Sequence, residues 1–78
     1  FIFSSGKVAA RDAGVVKRLQ AIALRMKESG EVMQIRVKTD ADGRWMYKQM
    51  KAAVPGYRLR GDIRLGKRVK VILQPPID

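Results

Sequence analysis

The second half of the chain alternates apolar residues with arginine or lysine. The pattern is clearest at residues 57–60, 63–65 and 68–71, and it occurs earlier at residues 33–38. A β-strand sends successive side chains to opposite faces of a sheet. These stretches are therefore predicted to form strands of one sheet that has an apolar face and a cationic face.

The cationic side of that sheet is predicted to carry a single sign of charge. The basic residues that alternate with apolar ones are Arg36, Lys38, Arg58, Arg60, Arg64, Arg68 and Lys70. A solvated face ordinarily mixes both signs of charge with Ser, Thr and Gln, because like charges at short range repel each other. The whole chain has 17 basic and 7 acidic residues, and its net charge is +10. Such a surface suits a polyanion, and the sequence points to nucleic acid.

Composition excludes several classes of protein. Hydrophobic residues make up 46% of the 78 positions, which argues against disorder, and the length suits one small basic domain over residues 1–78. The chain has no cysteine and no histidine, so thiolate chemistry and the commonest general base are absent. No apolar run approaches the roughly 18 residues that cross a bilayer. We predict a protein without enzymatic activity, cofactor, metal, membrane partner or small-molecule substrate.

Residue patterns predict the order β-α-β-α-β-β. The predicted elements are a strand at 1–3, a helix from 12 to 30, a strand at 31–39, a helix at 44–54, and strands at 57–65 and 68–73. Asp12 is the expected N-cap of the first helix, and Gly30 is the expected glycine at its end. Asp42 is expected to cap the second helix from a preceding turn. Gly66 and Lys67 form the tight turn of a predicted hairpin between the last two strands.

These elements predict an α/β fold of the α+β kind. Each helix has one apolar stripe to bury, so both helices are expected on the apolar face of the sheet. The predicted architecture is a two-layer β-α-β-α-β-β sandwich, with two helices packed on one face of a four-stranded mixed sheet.

Further candidate binding residues lie near the second helix. Lys48 is on its polar side, and Trp45 and Tyr47 flank its start. Trp45 is expected to fill the core. Tyr47 is expected to face away from the core and is the better candidate for stacking on a base.

The order of elements, together with the basic exposed face, resembles the C-terminal domain of bacterial-type translation initiation factor three. The resemblance covers residues 1–75, and its most persuasive stretch is residues 63–75, a strand pair with Gly66 and Lys67 at the turn and a proline at the end. It also includes the acidic-glycine turn at residues 28–30, which follows Arg25, and the basic strand at residues 33–38.

The resemblance implies that the protein binds ribosomal RNA of the small ribosomal subunit, with ribosomal proteins as further contacts. Such factors oppose premature subunit joining and help to select the initiator tRNA. The positions that match the family imply RNA contacts at Arg25, Lys38, Lys67 and Arg44, although residues 40–43 are acidic where the family is basic. The implied location is the ribosome, in a bacterial cytoplasm, a mitochondrion or a chloroplast.

Two other functions would use the same surface. An Alba-like chromatin protein would bind DNA or RNA with it, and a basic protein-partner module would bind an acidic protein. The sulfur-relay carriers share the topology but need a cysteine, which this chain lacks. The complete set of predicted RNA-binding residues is Arg25, Arg36, Lys38, Arg44, Tyr47, Lys48, Arg58, Arg60, Arg64, Lys67, Arg68 and Lys70.

Overall fold

The computed structural model describes residues 1–76, which form a helix layer on one face of a four-stranded mixed sheet. The elements in chain order are β1 (Ile2–Phe3), α1 (Ser5–Ala9), α2 (Ala13–Ser29), β2 (Val32–Val37), α3 (Asp40–Ala53), β3 (Gly61–Leu65) and β4 (Val69–Gln74). The order of strands across the sheet is β1-β4-β2-β3. The predicted fold class is confirmed, while residues 77 and 78 of the predicted domain lie outside the described residues.

The strand order explains why both long helices lie on the same face. β1, β2 and β3 run in one direction, because β4 is antiparallel to both β1 and β2 while β3 is parallel to β2. From β1 to β2 to β3 the chain also moves one way across the sheet. Two crossovers of the same hand therefore place α2 and α3 on the same side.

The ends of α2 confirm the local signals in the sequence. The Asp12 carboxylate accepts hydrogen bonds from the N–H groups of Gly14 and Val15, at 2.9 and 3.3 Å, and so caps the helix. Gly30 ends the helix with a φ of 74°, a left-handed conformation that glycine adopts without a Cβ clash.

Within residues 1–76 no helix is long and apolar enough to cross a membrane.

The first turn of α3 covers residues that were predicted to form a loop. Thr39, rather than Asp42, is the N-cap, since its hydroxyl oxygen accepts a hydrogen bond from the Asp42 N–H at 3.2 Å. Both Asp40 and Asp42 lie in the first turn, where carboxylates interact favourably with the helix dipole. Gly43 is buried, and a Cβ at that position would lie 2.5 Å from Cγ2 of Ile63. Its missing side chain lets α3 approach β3 closely.

A short helix, α1, lies between β1 and α2, where the residue patterns predict no helix. Arg11 follows this helix in a left-handed conformation, with a φ of 56°. Its guanidinium donates hydrogen bonds to the Val8 carbonyl at 3.2 Å and to Asp42 Oδ1 at 2.8 Å. The same group lies 4.8 Å from the ring centroid of Trp45, which packs against the core as expected. Arg11 therefore fastens α1 to the start of α3.

The last two strands do not form the predicted hairpin. β3 pairs with one edge of β2 and β4 pairs with the other, so β2 lies between them. The connecting residues 66–68 pass the end of β2, where the Gly66 N–H donates to the Val37 carbonyl at 2.8 Å. β4 lies between β1 and β2 and pairs with both of them. A β4 strand at the edge of the sheet, paired only with β3 in a hairpin, would leave one of its sides unpaired. The gain in backbone hydrogen bonds explains the arrangement.

Candidate nucleic-acid interface

The sheet face opposite the helices is open, and a row of basic side chains crosses it. Lys70 of β4 is paired with Arg36 of β2, and Arg36 is paired with Arg64 of β3. Directly paired residues point to the same side of a sheet. The next residues along β2 and β4, Ile35 and Val71, are completely buried beneath the helices. The row therefore lies on the open side, as the alternation in the sequence predicts.

Two shallow hollows flank this row, one towards each end of the strands. One, of about 300 Å³, is lined by Arg36, Gly66, Lys67, Arg68 and Lys70. The other, of about 460 Å³, includes Arg60 and Arg64 in its lining. Lys38, just past the end of β2, shares a third hollow with Lys67 and Arg68. Together these residues form what we call the basic face: Arg36, Lys38, Arg60, Arg64, Lys67, Arg68 and Lys70.

Opposite charge is scarce on the basic face. Within residues 1–76, Asp62 is the one acidic residue there, and its carboxylate lies 3.2 Å from Nε of Arg64. The other described acidic residues lie on the helices or at their ends: Asp12, Glu28, Glu31, Asp40 and Asp42. The basic face therefore has far less acidic charge to offset its basic residues than the helix layer has. Asp62 is not among the predicted binding residues, although the alternation that predicts Arg60 and Arg64 places it on the same side.

Arg25 lies on α2, in the helix layer, and is engaged in structural contacts. Its Nε donates a hydrogen bond to Glu31 Oε1 at 3.0 Å, and the Ser29 hydroxyl donates to the same oxygen at 2.7 Å. These hydrogen bonds, with that from Ser29 the stronger influence, lower the pKa of Glu31 below its usual value. The Arg25 guanidinium also lies 5.8 Å from the ring centroid of Phe1. The structure does not bring Arg25 to the basic face.

The predicted binding residues of α3 also lie in the helix layer. Arg44 and Lys48 are exposed on this helix. Tyr47 was expected to face away from the core, but it is half-buried and packs against the core beside Ile63. That expectation is wrong because the close approach of α3 at Gly43 brings the next turn of the helix over β3.

Arg58 precedes β3 and lies outside the sheet. The residues on either side of it are anchored, since the Tyr57 hydroxyl donates to the Met26 carbonyl at 3.3 Å and Leu59 is only 5% exposed. These anchors hold the segment against the core before β3 begins at Gly61. The predicted position of Arg58 on a strand is therefore wrong, and its side chain is exposed in a loop.

Within residues 1–76, no aromatic side chain lies on the basic face. The aromatic residues either face the helix side of the sheet or belong to the helix layer and its connecting loop: Phe1, Phe3, Trp45, Tyr47 and Tyr57. Unpaired bases bind proteins largely by stacking on aromatic rings. The basic face can therefore bind phosphates, but it offers no platform for stacking.

Relieving the repulsion within the row should stabilise the protein. Like charges directly opposite each other across strands are destabilising, and Arg36 has a basic residue on both sides. We expect Arg36→Gln to raise the free energy of unfolding by about 0.5 kcal/mol at low salt. The gain should shrink in about 0.5 M salt, where charges are screened. Urea denaturation at low and high salt measures both values, and a loss of stability at either salt would contradict the prediction.

Comparisons with models of protein families, with curated proteins and with solved structures found no match to this chain. The case for a function therefore rests on the shape and charge of the basic face. The resemblance to initiation factor three stays a prediction.

Proposed function

We propose that the protein is a non-enzymatic RNA-binding domain that holds the phosphate backbone against its basic face. The observation that carries the proposal is the row of Lys70, Arg36 and Arg64, in which like charges oppose each other across three strands. Guanidinium groups bind phosphates through paired hydrogen bonds, and ammonium groups act as point charges. A phosphate backbone that lies along the row would relieve its repulsion.

The distribution of aromatic residues favours structured RNA as the ligand. Proteins that bind single strands combine a basic groove with aromatic rings, and the basic face lacks the rings. Double-stranded RNA is recognised mostly through its shape, its phosphates and its 2′-hydroxyl groups. Binding of this kind depends little on base sequence, because phosphate contacts carry no information about the bases.

Ribosomal RNA of the small subunit is the ligand that the resemblance to initiation factor three favours. Two of the residues that it implies, Lys38 and Lys67, line one hollow at the end of β2. The other two, Arg25 and Arg44, lie in the helix layer and would meet RNA or a ribosomal protein from a different side. On this proposal the protein opposes subunit joining and assists initiation on ribosomes of a bacterial cytoplasm or an organelle.

The salt dependence of RNA affinity tests the proposal. If about 5 phosphates are engaged, a plot of log K against log salt should have a slope of roughly −3.5 to −4.5. The affinity for a short RNA hairpin, measured at several salt concentrations, gives this slope. A flat dependence would contradict the proposed phosphate contacts. Failure to co-sediment with small ribosomal subunits would contradict only the proposal that ribosomal RNA is the target.

Duplex DNA is the second candidate ligand. A face that contacts phosphates without stacking would also accept the backbone of DNA, as an Alba-like protein does. Affinities for duplex DNA and for an RNA hairpin of equal length, compared at equal salt, separate the two. A partner protein that is retained from nuclease-treated extract would instead support the protein-partner module.

A further inference from the structure

The two edges of the sheet differ in how they are covered. β1 has only 2 residues, and the Arg18 guanidinium donates a hydrogen bond to the Ile2 carbonyl at 3.0 Å. β3 has 5 residues, and within residues 1–76 no strand pairs with its outer side. An exposed edge strand is a template for pairing with another chain. The edge of β3 is therefore the place where a further strand can add to the sheet.

The hydrogen-bonding groups on the free edge follow from the pairing with β2. The Met33 N–H donates to the Arg60 carbonyl at 2.9 Å, and the Gly66 N–H donates to the Val37 carbonyl at 2.8 Å. In a parallel ladder, alternate residues turn their N–H and C=O groups towards the same neighbour. The even-numbered residues from 60 to 66 therefore face β2. The odd-numbered residues of β3 present their N–H and C=O groups to the free edge.

The charges along β3 are complementary to those of a second copy in one register. Arg60, Asp62 and Arg64 alternate in sign on the open side of the sheet. If two copies of β3 pair antiparallel about an axis at Ile63, Asp62 of each lies opposite Arg64 of the other. An axis at Asp62 or at Arg64 would place that residue opposite its own copy. A two-fold axis midway between two residues would place a residue of the open face of one copy opposite a residue of the helix side of the other.

Leu65 favours the same register through an apolar contact. It is 63% exposed, on the helix side of β3. With the axis at Ile63, it lies opposite Gly61 of the second copy, which has no side chain to block it. A hollow of about 270 Å³ adjoins that glycine, and its lining is Met33, Tyr47, Leu59, Gly61, Asp62 and Ile63. Each Leu65 can therefore be received by a mainly apolar hollow of the other copy.

We propose that the protein forms a two-fold symmetric dimer through antiparallel pairing of β3 with β3 of a second copy, centred on Ile63. Two hydrogen bonds form at the central Ile63 pair and two at each pairing of Gly61 with Leu65. The two sheets become one continuous sheet, and the two basic faces lie on the same side of it. Because the contact uses a sheet edge, it does not depend on RNA binding.

Salt should strengthen this dimer. Each chain has a net charge of +10, so two copies repel each other at long range. Raising the salt from about 0.05 to about 0.5 M screens that repulsion while the backbone hydrogen bonds and the Leu65 contacts persist. Phosphate binding weakens over the same range. The opposite signs of the two salt effects distinguish this proposal from the proposed function.

Charge exchange between positions 62 and 64 tests the register. Asp62→Arg and Arg64→Asp each place like charges at both cross-strand pairs, and each should raise the dissociation constant of the homodimer about tenfold. An equal mixture of these two variants restores both opposite-charge pairs and should form a heterodimer. The double variant keeps the net charge of the wild type and should dimerise as the wild type does. Sedimentation equilibrium of nuclease-treated protein in about 0.15 M salt, where directly opposed charges still interact, measures all four.

Leu65 provides an independent test with a matched control. Leu65→Ala should weaken the dimer, whereas Leu24→Ala, at a 50% exposed position on α2, should leave it unchanged. Circular dichroism checks that each variant is folded. The proposal is overturned if the wild type stays monomeric at millimolar concentration in high salt. It is also overturned if a dimer forms that responds neither to the charge exchange nor to the loss of Leu65.

Discussion

Replacing both Arg36 and Lys70 with glutamine is expected to lower the affinity for an RNA hairpin about 60-fold at roughly 0.1 M salt. Each phosphate contact contributes about 0.9 to the slope of log K against log salt, so two lost contacts should also reduce that slope by about 1.8. These residues form the centre of the basic face and are directly paired across β2 and β4. Fluorescence anisotropy at several salt concentrations measures both effects.

The matched control removes the same number of positive charges from the helix layer. Lys17 and Lys27 are exposed on α2, and Lys17→Gln with Lys27→Gln removes two charges from the helix layer. We expect this variant to bind nearly as well as the wild type. Equal losses in the two variants would show that overall charge, and not the basic face, determines binding. Circular dichroism checks that both variants are folded, so that a loss confined to the first variant reflects the lost phosphate contacts.

Gly61→Ala is expected to lower the free energy of unfolding by about 3 kcal/mol. Gly61 has a φ of 158°, and a Cβ built on it would overlap the carbonyl oxygen of Met33 on the neighbouring strand. The backbone cannot yield as a flexible side chain would, so β3 must move away from β2 to admit the methyl group. Chemical denaturation of both proteins gives the difference.

Gly56→Ala is the control for the free energy that is lost when a residue other than glycine has a positive φ. It also has a positive φ, 80°, but no atom lies within 4 Å of the position a Cβ would take. Gly56→Ala should therefore cost only the left-handed conformation, about 1 kcal/mol. Similar losses at the two glycines would contradict the role assigned to the Met33 carbonyl.

Local signals in the sequence predict the elements of this fold well. The alternation of apolar and basic residues predicts the row on the open face, because a strand's two-residue period needs no knowledge of its neighbours. Asp12 and Gly30 mark the ends of α2 for the same reason, since caps act within one turn of the helix. The positions of Arg36, Arg64 and Lys70 follow from this local information alone.

Two predictions that depend on distant contacts, the hairpin and the orientation of Tyr47, fail in this chain. The sequence between β3 and β4 suits a hairpin, but it does not show that β4 can pair with β1 and β2 at once. The orientation of Tyr47 depends on the contact of Gly43 with Ile63, which are far apart in the sequence. Lys67 and Arg68 do reach the basic face, although they do so on a loop that passes β2 instead of at a hairpin tip.

The central place of β4 governs how the protein can fold during its synthesis. β4 joins β1 to β2, yet of the four strands within residues 1–76 it is the last to be synthesised. Until it emerges, β1 has no neighbouring strand and one side of β2 is bare, so the nascent chain cannot close its sheet. Contacts between such distant segments slow folding and prolong the exposure of apolar surface. Proteolytic loss of β4 would therefore leave β1 without a neighbouring strand and one side of β2 unpaired.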